Sequence, residues 1–284
     1  MKLSSDLYVL SSRLGDEQAV RMMADAGFDA IDYSLYWRAK DRGPYGSDYK
    51  AYARHLRALA EDRGVYFNQA HAPFDSYRFD DPANNAERFS QIVQAMEFAS
   101  LLGVKTIIVH PIHCPPEVDR VDFNVDFYNR LKPWCREFGI RVALENLFDR
   151  VDGEKIVPSI CSFPDEFRCC VDLLDPEYFT ACVDVGHALV VGETPEHVLR
   201  EMGERVTALH IHDNRGILDD HMLPGFGKID WKGTMRALRE IGYPGELTLE
   251  IFAWLQCFDN EMLGDAARLA VKTGRKLIAE FERV

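Results

Sequence analysis

Hydrophobic and polar positions change period back and forth along the whole chain. Short apolar runs with strand-like character fall at residues 7–10, 28–33, 65–70, 106–110, 141–145, 179–184, 206–212 and 247–251. Between them, helical spacing predicts helices at residues 48–63, 86–102, 124–138, 195–202 and 231–241. Several helical segments stop at glycine, as in Leu102-Gly103 and Phe138-Gly139, where a residue tolerating positive φ ends a helix before the next strand. Eight strand–helix units in this length predict an α/β chain folded as a (β/α)8 TIM barrel. An open doubly wound sheet would carry a glycine-rich phosphate turn after its first strand, and Ser11-Ser12-Arg13-Leu14-Gly15 is not one. With no linker or low-complexity tract, residues 1–284 are expected to form one barrel domain. The longest irregular stretch, residues 146–164, follows the fifth run and is a candidate lid over the barrel mouth.

Composition narrows the classes of partner. The 284 residues are 47% hydrophobic, and no apolar run is long enough to span a bilayer, so the expectation is a compact chain with a large core and no membrane partner. The amino-terminal residues lack the basic-then-apolar order of a secretory signal, which makes the cytoplasm the expected location. Seven cysteines without a Cys-x-x-Cys pair fit free thiols there. Lysine and arginine total 33 against 46 acidic residues, a formal charge of −13 that disfavours a nucleic-acid partner. A small-molecule substrate is expected, and a homo-oligomer is compatible with the composition.

Four of the runs close on a metal-competent side chain: Glu145, Asp184, His212 and Glu250. Residues two apart in a strand share a face, so Ala143 points with Glu145, Cys182 with Asp184, His210 with His212 and Thr248 with Glu250, while Leu144, Val183, Ile211 and Leu249 face the helices. A polar quartet at the carboxyl ends of successive parallel strands is placed as an active site on a barrel rim. Three carboxylates and one imidazole suit one divalent metal, with Mn2+ favoured and Mg2+, Co2+ and Zn2+ as alternatives. His71, His110 and His187 lie where rim side chains meet substrate or a second metal, and His71 and His110 read equally well as hydrogen-bonded core histidines. His187 is expected to touch substrate, and His210, one layer deeper than His212, to have a packed or supporting role. Tyr33, Trp37, Phe74, Phe148, Phe252 and Trp254 stand at or beyond strand ends as candidate pocket walls, with Trp37 and Trp254 expected to contact substrate. Arg215 and Lys228 are the basic residues near the seventh run, where barrels often hold phosphate.

In the segments His71-Ala72-Pro73, Val109-His110-Pro111, Ala143-Leu144-Glu145-Asn146, Val183-Asp184-Val185-Gly186-His187, Leu209-His210-Ile211-His212-Asp213, residues 220–227 and Leu249-Glu250, the chain resembles the xylose-isomerase-like TIM-barrel superfamily. That superfamily contains sugar and sugar-phosphate isomerases and epimerases, inosose dehydratases and endonuclease IV-type enzymes. Likeness to its ketose 3-epimerases implies that Glu145, Asp184, His212 and Glu250 bind one metal, that the two glutamates also move protons, and that His187 touches a substrate oxygen. Such epimerases often have Arg where this chain has His221, which is carried over as a substrate-binding position. Likeness to endonuclease IV implies further zinc positions at His71, His110, His187, Asp219 and His221.

The implied chemistry is an enediolate mechanism. A metal chelated by a sugar carbonyl and the adjacent hydroxyl stabilises the carbanion formed when the carbon-bound proton leaves. Glu145 and Glu250 then remove and return that proton as an acid–base pair. The expected activity is a sugar or sugar-phosphate isomerase or epimerase. The alternatives are an inosose-dehydratase-like lyase, which would use the same enolate, and an endonuclease IV-like zinc phosphodiesterase, against which the net charge argues.

Overall fold

The computed structural model describes residues 1–36, 38, 43–153 and 155–283. Trp37, a predicted wall residue, lies outside the described residues. Ten strands are present among them: β1 Leu3–Asp6, β2 Ala30–Ser34, β3 Tyr66–His71, β4 Thr106–Ile108, β5 Arg141–Glu145, β6 Phe148–Val151, β7 Lys155–Pro158, β8 Phe179–Asp184, β9 Val206–His210 and β10 Leu247–Leu249. The helices are α1 Tyr8–Leu14, α2 Asp16–Ala26, α3 Tyr49–Asp62, α4 Asn85–Leu102, α5 Arg120–Asn129, α6 Lys132–Phe138, α7 Pro164–Asp172, α8 Val185–Val190, α9 Pro195–Met202, α10 Trp231–Glu240, α11 Phe252–Gln256 and α12 Leu263–Arg283.

Eight strands make one parallel sheet in the order β10-β1-β2-β3-β4-β5-β8-β9. Ile211 closes the ring: its N–H donates to the Thr248 carbonyl (2.9 Å) and its carbonyl accepts from the Glu250 N–H (3.0 Å). The result is a TIM barrel. Leu144, Val183, Leu209 and Leu249 pack outward with the helices in the main core, whereas Ile108, Ala143, Cys182 and Ala208 form a separate small cluster inside the ring. That division is the period-two alternation expected of barrel strands.

Three local expectations change. The first strand is β1, whereas residues 7–10 lie mostly in α1, because Ser4, Ser5 and Asp6 are polar residues that an apolar count passes over. Their groups are spent across the sheet: Ser4 Oγ donates to Asn68 Oδ1 (2.7 Å) and Ser5 Oγ to the Leu249 carbonyl (3.0 Å). The predicted helix at 124–138 is two, α5 and α6, separated by Arg130 and Leu131; Pro133, in the first turn of α6, has no N–H to bond back across the break. Residues 146–164 are not irregular throughout: β6 and β7 pair as an antiparallel hairpin, with Phe148 opposite Pro158 and Arg150 opposite Ile156. All seven cysteines are unpaired, and no helix among the described residues is long and apolar enough to cross a membrane.

Asp6 is buried inside this framework, accepting from Tyr36 (2.9 Å) and from Ser34. Burial, and then the neighbouring Asp32, raise its pKa from 3.8 to about 6. Since the folded-state value lies above the unfolded one, its contribution is fully present below pH 3.8 and is lost as pH rises through about 6. Asp6→Asn cannot ionise, so relative to the wild type it should gain up to about 3 kcal/mol between acid and mildly alkaline pH. Urea-unfolding midpoints of both proteins near pH 4 and pH 8 measure this, and an equal difference at the two pH values would contradict it.

Candidate active site

The parallel register decides which side chains meet. On β8 and β9, Asp184 is paired with His210, and Glu145 at the end of β5 is paired with Cys182. Glu250 is the first residue after β10. One ligand atom from each of Glu145, Asp184, His210 and Glu250 lies within 4.8 Å of the others, and all four residues are buried. His210 Nδ1 stands 2.7 Å from Glu145 Oε1 and 3.5 Å from Glu250 Oε2.

His210, and not His212, is the imidazole grouped with these three carboxylates. β9 ends at His210, so His212 lies two residues past the strand end, in a second donor group with His187, Asp219 and His221. His212 instead sits against Gly186, where any Cβ would overlap its ring, and stacks on His221 with centroids 3.9 Å apart. Its Nε2 contacts both carboxylate oxygens of Asp184 at 3.0 and 3.1 Å.

Two further groups flank the quartet. On one side, His110 Nε2 and His71 Nε2 approach Glu145 Oε2 at 3.1 and 3.5 Å and each other at 3.0 Å. On the other, His187, His212 and His221 surround Asp219 at 3.6, 3.6 and 2.8 Å. Backbone carbonyls orient three of these rings. His71 Nδ1 donates to Ala72 (2.9 Å), His187 Nδ1 to Asn146 (2.9 Å) and His221 Nδ1 to Glu250 (3.0 Å), which turns each Nε2 toward the carboxylates. Asn146 also clamps β5 to β8 through both of its amide atoms, bonding the Asp184 N–H and carbonyl at 2.8 and 2.9 Å.

The two glutamates are electrostatically distinct. Burial pushes Glu145 up, but the imidazoles of His210, His110 and His71 outweigh it and hold the carboxyl well below its usual range. Burial raises Glu250 well above that range, and Glu145, Asp184 and Asp6 add to the rise in spite of His210. Burial also lowers His110 to about 4, which leaves it neutral near pH 7.

A cavity of about 330 Å³ opens over this floor, lined by His71, Phe74, His110, His113, Glu145, Leu147, Phe148, Arg150, His187, Asp219, His221, Glu250 and Phe252. Tyr33 and Trp254 are not in it. Tyr33 points away to bond Asp16 (2.7 Å). Trp254 is buried against Phe258, with ring centroids 4.8 Å apart, because the chain turns helical at Phe252. Residues two apart share a face on a strand but point nearly oppositely on a helix, so Phe252 and Trp254 part company. Arg215 and Lys228 do not line the cavity either. Arg150 and His113, which do, carry no signal in the periodicity: Arg150 is placed by the fold-back of residues 146–164, and His113 by its contact with Ser159 of that segment.

A family model described as a xylose isomerase-like TIM barrel matches residues 20–272. The chain belongs to this family. The chain is 25% identical to fructoselysine 3-epimerase of Escherichia coli O157:H7, over 95% of this chain and 96% of that one. Two solved structures share the fold at lower identity. A D-psicose 3-epimerase determined in the presence of D-fructose is 19% identical, with a TM-score of 0.75 over 98% of this chain and 99% of that one. The IOLI protein with a bound zinc atom is 20% identical, with a TM-score of 0.72 over 99% and 98%.

The geometry separates the two histidines of β9 and its extension. His210→Ala should weaken divalent-metal binding by more than the roughly 10–100-fold typical of losing a residue that only orients a ligand, whereas His212→Ala should stay within that range. Titration of metal-free protein with Mn2+, followed by the paramagnetic signal of the free ion, measures both. Retention of tight binding in His210→Ala together with its loss in His212→Ala would reverse the assignment.

Proposed function

We propose that this family member is a metal-dependent sugar or sugar-phosphate isomerase or epimerase that moves a proton at the carbon beside a ketose carbonyl. The observation that carries this reading is the pair of buried glutamates at one floor: Glu145 and Glu250 each bring a carboxylate oxygen to the same group as Asp184 and His210, from positions on either side of β8 and β9 in the ring. Two carboxylates that face one bound sugar from opposite sides can take a proton from one face and return it on the other.

The donor set fits a divalent cation. Glu145 Oε2 is buried without a hydrogen-bond partner while facing two imidazole nitrogens, and His210 Nε2 and Asp219 Oδ1 are likewise unsatisfied. Glu145, Asp184, His210 and Glu250 would hold the principal ion, and their oxygen-rich character favours Mn2+, with Mg2+, Co2+ or the zinc found in the IOLI structure as alternatives. When bound, the ion supplies an electrophile for the carbonyl and adjacent hydroxyl oxygens of the sugar. Glu145 takes the carbon-bound proton, and Glu250, on the opposite side of β8 and β9 in the ring, returns one. His110, neutral near pH 7, accepts a substrate hydroxyl, and His187 and His221 orient the neighbouring oxygens. Phe74, Phe148 and Phe252 wall the cavity and limit water around the carbanion.

A second reading, a multinuclear phosphoester hydrolase, has one observation in its favour: the His71–His110–Glu145 and His187–Asp219–His221 groups each offer donors for a further ion. The charge of −13 weighs against a DNA substrate.

A ketose turned over in deuterated water should gain deuterium beside its carbonyl, and Glu145→Gln or Glu250→Gln should cut that exchange by about 100-fold or more with metal occupancy matched. Mass spectrometry of recovered sugar, with metal content determined in the same sample, measures it. Undiminished exchange in metal-loaded Glu250→Gln would remove Glu250 from the mechanism. Hydrolysis of abasic DNA with no exchange into any ketose would replace this reading with the second.

A further inference from the structure

The hairpin over the barrel mouth turns one face to the cavity. Phe148 and Arg150, two apart on β6 and so on the same face, both line it. The Arg150 guanidinium lies over the Phe148 ring, 5.2 Å from its centroid, and that ring meets His187 edge-on at 5.0 Å. Among the described residues Arg150 is the single lysine or arginine lining the cavity, whose floor carries Glu145, Asp219 and Glu250. Among the described residues no carboxylate pairs with its side chain. Its neighbour Asp149 accepts from the Arg150 backbone N–H (2.7 Å) and lies 3.7 Å from His113 Nδ1. A guanidinium stacked on an aromatic face keeps its N–H edge free, and that edge matches the two oxygens of a carboxylate or phosphate.

From this arrangement we infer that the substrate carries an oxyanion, a carboxylate or a phosphate, at the end remote from its carbonyl, and that Arg150 receives it. This rests on the isomerase reading for the orientation of the sugar. The layout of the cavity sets the direction: the carboxylate floor is the place of the metal and the carbonyl end, and among the described lining residues the mouth offers the one permanent cation, Arg150. In a chain of net charge −13, a local guanidinium is also what an anionic sugar needs for productive approach. Arg150 thereby acts as a specificity residue set apart from the proton-transferring groups, and its exposed side chain can be replaced without disturbing the core.

The test uses full-length, Mn2+-loaded protein with D-fructose, D-fructose 6-phosphate and D-fructuronate, measuring binding by calorimetry and deuterium uptake by mass spectrometry. The wild type should bind at least one anionic ketose about 10-fold or more tighter than D-fructose, and whichever anion ranks first identifies phosphate or carboxylate as its partner. Arg150→Ala should erase that preference while leaving D-fructose affinity within about twofold, and Arg150→Lys should restore part of it. Equal binding of all three sugars, failure of both anions to bind, or a preference unchanged in Arg150→Ala would overturn the inference. The two readings fail separately. Anion selectivity lost in Arg150→Ala without deuterium uptake upholds Arg150 and removes the isomerase, whereas equal uptake by all three sugars, indifferent to Arg150→Ala, upholds the isomerase and removes Arg150.

Discussion

The constraint on which the site depends is the burial of Glu145, Asp184 and Glu250, with Asp219 beside them, where imidazoles are the compensating groups. Taking carboxylates out of water is costly unless charge or hydrogen bonds replace the solvent. Here the replacement is distributed. His210 reaches Glu145 and Glu250, His71 and His110 reach the other oxygen of Glu145, and His187, His212 and His221 ring Asp219. Atoms left unpaired in this ring, such as Glu145 Oε2, are what a cation would satisfy.

The barrel makes that concentration of charge possible. Strand register holds Asp184 level with His210, Asn146 ties β5 to β8, and backbone carbonyls lock three imidazole rings with Nε2 inward. The donors are thus oriented by rigid elements before any ligand arrives, which is the condition for electrostatic preorganisation. The opposite pKa shifts of Glu145 and Glu250 follow from the same placement: imidazoles outweigh burial at Glu145, whereas burial with the neighbouring carboxylates outweighs His210 at Glu250.

Above the rigid floor, the β6–β7 hairpin supplies Phe148 and Arg150. Its two strands hydrogen-bond to each other and not to the barrel sheet. A loop of this kind can change its side chains without altering the ring beneath, and in the proposed reading the floor carries the reaction class and the hairpin the selectivity.

Much of the fold was legible in the sequence because periodicity reports burial. Seven of the eight barrel strands fall on apolar runs, α9 falls on residues 195–202, and the glycines after Leu102 and Phe138 take positive φ at helix ends. The amino-acid pattern by itself determined the barrel, the convergence of Glu145, Asp184 and Glu250 on its rim, and the placing of His71, His110 and His187 near them. Tertiary structure decided the rest. β1 was hidden because its groups are satisfied by partners distant in sequence, Asn68 and Leu249. His210 and His212 share an alternation, so only the end of β9 and its register with β8 could say which of them joins the glutamates. Trp254 left the cavity because a helix begins at Phe252, and Arg150 entered it because a hairpin folds back over the mouth. Periodicity names the face a residue shares with its neighbours; where that row stops, and what closes over it, are settled by contacts between segments far apart in the chain.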